Sequence, residues 1–347
     1  MTQEGTKRKA WLDACRGIAM IFVLLGHNDP PFIRFIYGFH IPLFYIISGY
    51  LFKSDDNLPS FKEMLGKVIK RYIMPYYVLA YLNLLLHVIL LIVSTGTHPD
   101  TARLMEYIRG AAIADIDTMP RCGPLWFLFS IGLAQLVFWA IRKINKMWLR
   151  IVVLLGGSAV WYFLSTENGA KDALVLPFSL HTVWTGVIFL EVGYIIRRYE
   201  LIERISNTTA LRKIIVFVLS FAAGTVGIIF NPVNPRVDIS YGNIGSVILM
   251  LIGSIGISYA LMCAMSLIKN EKVLAPFAYV GRHTIFLMAF DWFSNDAGGQ
   301  ILIRFMKNWE WWVSFITRAI LLALMLALWQ LIILPIRNDK VKKTLNI

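Results

Sequence analysis

Charged side chains are scarce in this sequence. Asp, Glu, Lys and Arg supply 16% of it while hydrophobic residues supply 57%, an imbalance that no soluble globular domain of this length requires. A soluble fold is excluded. Cysteine is scarcer still: Cys15, Cys122 and Cys263 are odd in number and widely separated, which excludes a disulfide framework and a cysteine-based metal motif. No polar stretch is long enough for a separate soluble domain, and no internal repeat of the kind that marks many transporters is visible. Acidic residues are also few, 21 against 34 basic ones, leaving a formal net charge of +13. In a soluble protein that excess would point to nucleic acid, but here the charges must first be placed relative to a membrane, and no nucleic-acid partner is expected.

What is present is a succession of apolar segments, at about 11-28, 32-52, 70-94, 123-141, 150-165, 174-196, 213-230, 244-267, 273-293 and 311-336. The expected fold class is all-α: a polytopic transmembrane helix bundle of about ten spans, forming a single domain over residues 1-347 with short tails at about 1-10 and 337-347. The fifth and ninth segments are short or broken by polar residues, so roughly eight to eleven spans are compatible with the pattern. Lys7, Arg8 and Lys9 precede the first run as in a signal peptide, but Arg16 interrupts the run and no small-residue cleavage site follows. A retained first span is expected.

With both termini cytoplasmic, 23 of the 34 basic residues fall on the cytoplasmic side. Outside lie Arg34, Arg103, Arg109, Arg121, Lys171, Arg236, Arg304 and Lys307, and Arg16, Arg282 and Arg318 lie within spans. The asymmetry supports that orientation and the even span count. The basic surplus then faces the anionic leaflet of the bilayer. In the loop of residues 95 to 122, the stretch Thr101 to Ile113 reads as an amphipathic surface helix, or as cover for an outward-facing site.

The stretch WLDACRGIAMIFVLLGHND, Trp11 to Asp29, places ionisable groups at both ends of an apolar run. As a helix it brings Arg16 and His27 onto one face, roughly 20° apart in azimuth and roughly 16 Å apart along the axis. Intramembrane ionisable groups are costly enough to make a functional reading the default. The competing reading has both groups near the interfaces and reaching water. Asp13 can pair with Arg16 at i, i+3, whereas Asp29 is badly placed to orient His27. In the second segment His40 precedes Pro42, a helix breaker that would free backbone groups for a cavity, while Ser48 and Gly49 are small enough for close helix packing. In KVIKRYIMPYY, Lys67, Lys70 and Arg71 stand at the cytoplasmic face with Pro75 just inside. They serve either as positive-inside anchors or, with Arg16, as an anion-binding mouth. Trp126 opens the fourth segment at an interface. His181, Glu191, Arg282, His283, Asp291 and Arg318 are further intramembrane polar candidates, with ion-pair glue the expected role of Glu191 and Arg318.

Four of these blocks together resemble the acyltransferase 3 superfamily of integral membrane acyltransferases, particularly its fucose 4-O-acetylase-like branch. They are Asp13, Arg16, Gly17 and His27 in LDACRGIAMIFVLLGH; His40, Pro42, Ser48 and Gly49 in FHIPLFYIISGYLF; Arg71 and Pro75 in KRYIMPYY; and Trp126 in PLWFL. A late block, GRHTIFLMAFD, matches at Gly281 and Thr284 but carries Asp291 where the family pattern has a histidine.

The resemblance implies transfer of an acyl group, typically acetyl, from cytoplasmic acyl-CoA to a hydroxyl of an extracytoplasmic envelope glycan or lipid-linked sugar. His27 would be the general base or a transient acyl carrier, Arg16 would orient the donor or stabilise charge near the thioester, and His40 would be a second catalytic or acceptor-positioning group. Lys70, Arg71 and Trp126 are assigned to donor binding, with Asp13, Pro42, Ser48, Gly49 and Pro75 supporting. Acyl-CoA is then a substrate; no permanently bound cofactor and no metal are expected. The implied setting is a cell membrane, that of the bacterial cytoplasm, and homo-oligomerisation is left open. The alternative function is a transporter or export component of the same fold without acyl chemistry, and a third is a non-catalytic member serving assembly.

Overall fold

The computed structural model describes residues 10–53, 57–119, 123–164 and 175–333. Lys7, Arg8 and Lys9, the loop residues Arg121, Cys122 and Lys171, and the C-terminal tail lie outside the described residues. The described chain is helical, with no strand beyond a single bridge between Asp238 and Asn243. Its first half runs α1 (Ala10–Gly26), α2 (Ile33–Tyr37), α3 (His40–Tyr50), α4 (Phe61–Val68), α5 (Met74–Thr95), α6 (Thr101–Ile113) and α7 (Trp126–Arg142). The second half runs α8 (Met147–Leu164), α9 (Val183–Arg198), α10 (Leu201–Ser206), α11 (Ala210–Ile229), α12 (Val247–Leu267), α13 (Glu271–Arg282), α14 (Thr284–Phe305) and α15 (Trp311–Ile333).

All ten apolar segments fall on helix, but not all reach crossing length. Among the described residues, six helices are long and apolar enough to cross a membrane: Phe61–Val93, Gly123–Arg142, Pro177–Arg198, Ala210–Ile229, Val247–Leu267 and Trp311–Ile332. The pair α13 and α14, bent by 69° at their junction, makes a seventh if taken as one span, and α8 is apolar but shorter. The first two segments fall short for local reasons. α1 ends at Gly26 because Pro30 and Pro31 lie ahead and Asp29 turns the chain with a φ of 47°. The second segment divides into α2 and α3 at Gly38 and Phe39. That break precedes Pro42, which sits in the first turn of α3, where a helix has no use for its missing N–H.

Two close crossings set the frame of the bundle. α1 lies directly on α13: a Cβ added to Gly17 would stand 1.8 Å from the Phe277 carbonyl oxygen, and one on Gly281 would stand 1.9 Å from that of Asp13. Only glycine allows this approach. α3 meets α9 in the same way, through Gly49 against the Leu190 backbone and Gly193 against that of Ile46. Helix α6 occupies Thr101–Ile113, as its amphipathic pattern predicts, with Asp100 accepting from the Arg103 N–H at 2.7 Å. Tyr76 and Tyr77 of α5 donate their hydroxyls to its Ala111 and Ala112 carbonyls at 2.7 and 3.0 Å.

Candidate active site

Two cavities open within the bundle, of about 840 and 400 Å³. They are stacked end to end, as four helices show independently. Along α1, Asp13 and Arg16 line the larger cavity and Val23 and His27 the smaller; along α14, Thr284 and Ile285 line the larger and Trp292 and Asn295 the smaller. α3 and α7 run the opposite way, from His40 and Ile41 to Phe44 and Ser48, and from Trp126 to Ile131 and Gln135. Phe127 and Met288 line both cavities. Arg16 and His27, on one helix face, therefore serve opposite chambers.

The larger cavity is strongly basic. Arg16, Lys53, Lys67, Lys70, Arg71, Arg197 and Arg282 line it, with Asp13 as its carboxylate. Asp13 pairs with Arg16 at 3.4 Å in the expected i, i+3 register. Lys70 and Arg71 are delivered by a π-turn, Ile69–Ile73, in which the Met74 N–H reaches back to the Ile69 carbonyl. Pro75 explains the wide turn, since it has no N–H to offer the Arg71 carbonyl. Arg282 arrives beside Arg16 because the contact of Gly17 with Gly281 brings α13 onto α1. A cluster of this kind suits a polyanion such as a nucleotide phosphate.

In the smaller cavity, His27 is held through its Nδ1–H by the Asp291 carboxylate, whose other oxygen accepts from Arg318 at 2.8 Å. Arg318 also donates to the His27 carbonyl at 2.8 Å. Asp291 is fully buried and the Arg318 side chain nearly so, so each requires the other as counter-charge. The arrangement selects the tautomer in which Nε2 carries the free lone pair, the form a general base needs. Trp292 sets its ring edge-on to the imidazole, with centroids 6.4 Å apart.

His40 shares this chamber, with Nδ1 donating to the Ile36 carbonyl at 2.7 Å and its ring edge-on to Tyr37. Asp29 pairs with Arg236 at 3.5 Å, whose guanidinium lies over Tyr37 at 4.2 Å. The loop bearing Arg236 is fastened by Asn231, which bonds the Ile244 carbonyl at 3.0 Å and the Ser246 N–H at 2.9 Å. In the same loop Tyr241 donates to Asp117 at 2.9 Å, and burial, reinforced by that bond, pushes its phenol far above the ordinary range, so it serves as a fixed donor.

The expected site residues thus divide. His27 and His40 share one chamber; Arg16, Asp13, Ser48, Lys70 and Arg71 share the other. Trp126, grouped with the donor-binding residues on sequence, lies in the His27 chamber, because α7 starts at that end, and the residues that follow it, Phe127 and Leu128, line the basic one. Pro42, Gly49 and Pro75 shape helices and line neither cavity. Glu191 bonds Arg142 at 3.0 Å, as ion-pair glue. His181 bridges the Leu176 N–H and the Ser240 carbonyl, and His283 bonds the Tyr279 carbonyl. The partnership of Asp291 and Arg318 with His27 is what sequence reasoning missed. The available signal was the presence of two opposite, isolated charges in separate apolar helices, which must find each other. Among the described residues, no group of three or more His, Cys, Asp or Glu side chains is placed to hold a metal ion.

A family model described as an acyltransferase domain, that of the acyltransferase 3 family, matches residues 9–334. No curated protein and no solved structure matches the chain significantly.

Proposed function

The chain belongs to the acyltransferase 3 family, and from that premise we propose that it is a membrane-embedded O-acyltransferase that moves an acetyl group from cytoplasmic acyl-CoA to a hydroxyl of an extracytoplasmic glycan. The observation that carries this reading is the pairing of an oriented His27 in one chamber with a polycationic chamber at the opposite end of the same helix. The charge asymmetry of the sequence supports about ten spans with both termini cytoplasmic. On that orientation Lys53, Lys67, Lys70, Arg71 and Arg197 belong to the cytoplasmic side and Arg236 to the outer side.

The CoA phosphates occupy the basic chamber, against Lys70, Arg71 and Arg282. Arg16 lies roughly 16 Å from His27 along α1, too far to touch the reacting carbonyl while His27 does, so its role is to orient the donor. The thioester arm extends toward Phe127 and Met288. In the outer chamber Nε2 of His27 takes the proton of the acceptor hydroxyl, and the oxygen attacks the thioester carbonyl. The new C–O bond forms, the C–S bond breaks, and the imidazolium returns its proton to the departing thiolate. Asp291, paired with Arg318, stabilises the imidazolium between these steps. His40, bonded through Nδ1, positions the acceptor. CoA is a substrate here, and no resident cofactor enters the scheme.

The test is ester-linked acetate released from envelope glycans of cells expressing the wild type, His27→Ala at matched membrane abundance, or no chain. Acetate present in the wild type and lost in His27→Ala is expected. Equal acetate in both would remove His27 from the chemistry, and acetate at the level of empty cells in all three, together with acyl-donor-independent solute movement, would favour a transport role.

A further inference from the structure

The two chambers meet at Phe127 and Met288, which are both buried. On the proposed acyl transfer, any group carried from the basic chamber to His27 must pass between them. The two walls differ in kind. Phe127 is clamped by aromatic rings, those of Phe44, Tyr45 and Trp126, with centroids 5.6, 5.1 and 5.8 Å away. Tyr45 is itself fixed through its hydroxyl to Ser130 at 2.5 Å. That wall is rigid. Met288, the other residue common to both chambers, has an unbranched thioether side chain with three rotatable bonds that adapts readily. It lies one turn before Asp291 and Trp292 on α14, so the residue at the constriction and the residues that hold and flank His27 share a helix face.

We propose that Met288, closing against Phe127, is the specificity-determining residue for the acyl group: it sets the length of chain that passes from the donor chamber to His27. With both side chains in place the passage admits the smallest acyl group and discriminates against longer ones. The inference rests on the acyltransferase reading and deepens it, since it assigns the choice of acetyl over longer donors to a single residue that touches neither the CoA phosphates nor the acceptor hydroxyl.

The experiment uses membranes containing the full chain, with the envelope glycan fraction of the expressing cells as acceptor and radiolabelled acetyl-, propionyl- and butyryl-CoA as donors. Wild type, Met288→Ala and Met288→Phe are compared at equal abundance. A hydrophobic pocket discriminates one methylene by roughly 10- to 200-fold, so Met288→Ala is expected to raise the ratio of butyryl to acetyl transfer by at least about tenfold. Met288→Phe is expected to depress kcat for acetyl transfer and leave the KM for acetyl-CoA unmoved, because the phosphate-binding residues are untouched. Phe127→Leu widens the passage from the other wall and carries the expectation of Met288→Ala if that variant fails to accumulate. An active wild type whose chain-length profile is unchanged by Met288→Ala and Phe127→Leu would overturn the filter and leave the acyltransferase reading standing. A wild type that transfers none of the three acyl groups would overturn that reading and the filter with it.

Discussion

Asp291 holds the imidazole of His27 although 264 residues separate them, and Arg318 ties the same carboxylate to the carbonyl that ends α1. Three helices are thereby fastened at one histidine.

Asp291→Asn keeps the shape of the side chain and loses the carboxylate that holds His27 and, on the proposed mechanism, stabilises its imidazolium. The expected loss in kcat is about 10²- to 10⁴-fold, with the KM for acyl-CoA unchanged. Steady-state transfer assays on wild type and variant decide it; a variant within twofold of the wild type would show that His27 works without Asp291.

The same substitution leaves Arg318 buried without its counter-charge. Breaking a buried pair by removing one partner costs roughly 3–5 kcal/mol, so Asp291→Asn and Arg318→Met are each expected to lower the melting temperature in detergent. Asp291→Asn combined with Arg318→Met recovers stability but not activity, which separates the structural part of the pair from its effect on His27.

Removing charge from the basic chamber should act on donor binding. Lys70→Ala with Arg71→Ala is expected to raise the KM for acyl-CoA about tenfold or more, with kcat retained and a weaker dependence of KM on salt. An unchanged KM at normal membrane abundance would reduce both residues to topology signals.

Gly17→Ala and Gly281→Ala each drive a methyl into a backbone carbonyl of the facing helix, so α1 and α13 must separate. Destabilisation of about 1–3 kcal/mol is expected, read as a lower melting temperature. Gly66→Ala is the contrast: nothing lies within 4 Å of its added Cβ, and a helical Gly→Ala change there is expected to stabilise by about 0.5–1 kcal/mol.

Glu191→Ala, which removes the carboxylate that Arg142 bonds at 3.0 Å, is expected to lower stability by on the order of 1–3 kcal/mol and leave turnover per folded molecule as it was. A selective loss of turnover would instead connect that pair to the chemistry.

Local pattern carried much of this fold. The shared face of Arg16 and His27, the i, i+3 pair of Asp13 with Arg16, and the bounds of α6 are all statements about neighbours on one helix, which periodicity expresses directly. Periodicity does not tell a crossing helix from a short buried one. α1 buries residues on most of its circumference and α15 leaves most of its own exposed, yet both read as apolar runs. Contacts between distant segments were the least legible. Asp291 stood out as an intramembrane polar residue and as a departure from the histidine of the family pattern, but nothing in its spacing pointed to His27. Pro42 reads in sequence as a helix breaker, because a proline is visible there, whereas the register of α3 that renders it harmless is not.

The meeting of the two chambers at a ring and a thioether also bears on the membrane itself. A continuous wet passage from Arg16 to His27 would short-circuit the ion gradient that such a membrane maintains. With Phe127 and Met288 in contact with both chambers and buried between them, the low-dielectric stretch of the barrier shrinks to the thickness of two side chains. On the proposed acyl transfer, a membrane voltage would fall mostly across that stopper, which a neutral acyl group would cross without electrical work while protons and inorganic ions would meet the cost of desolvation.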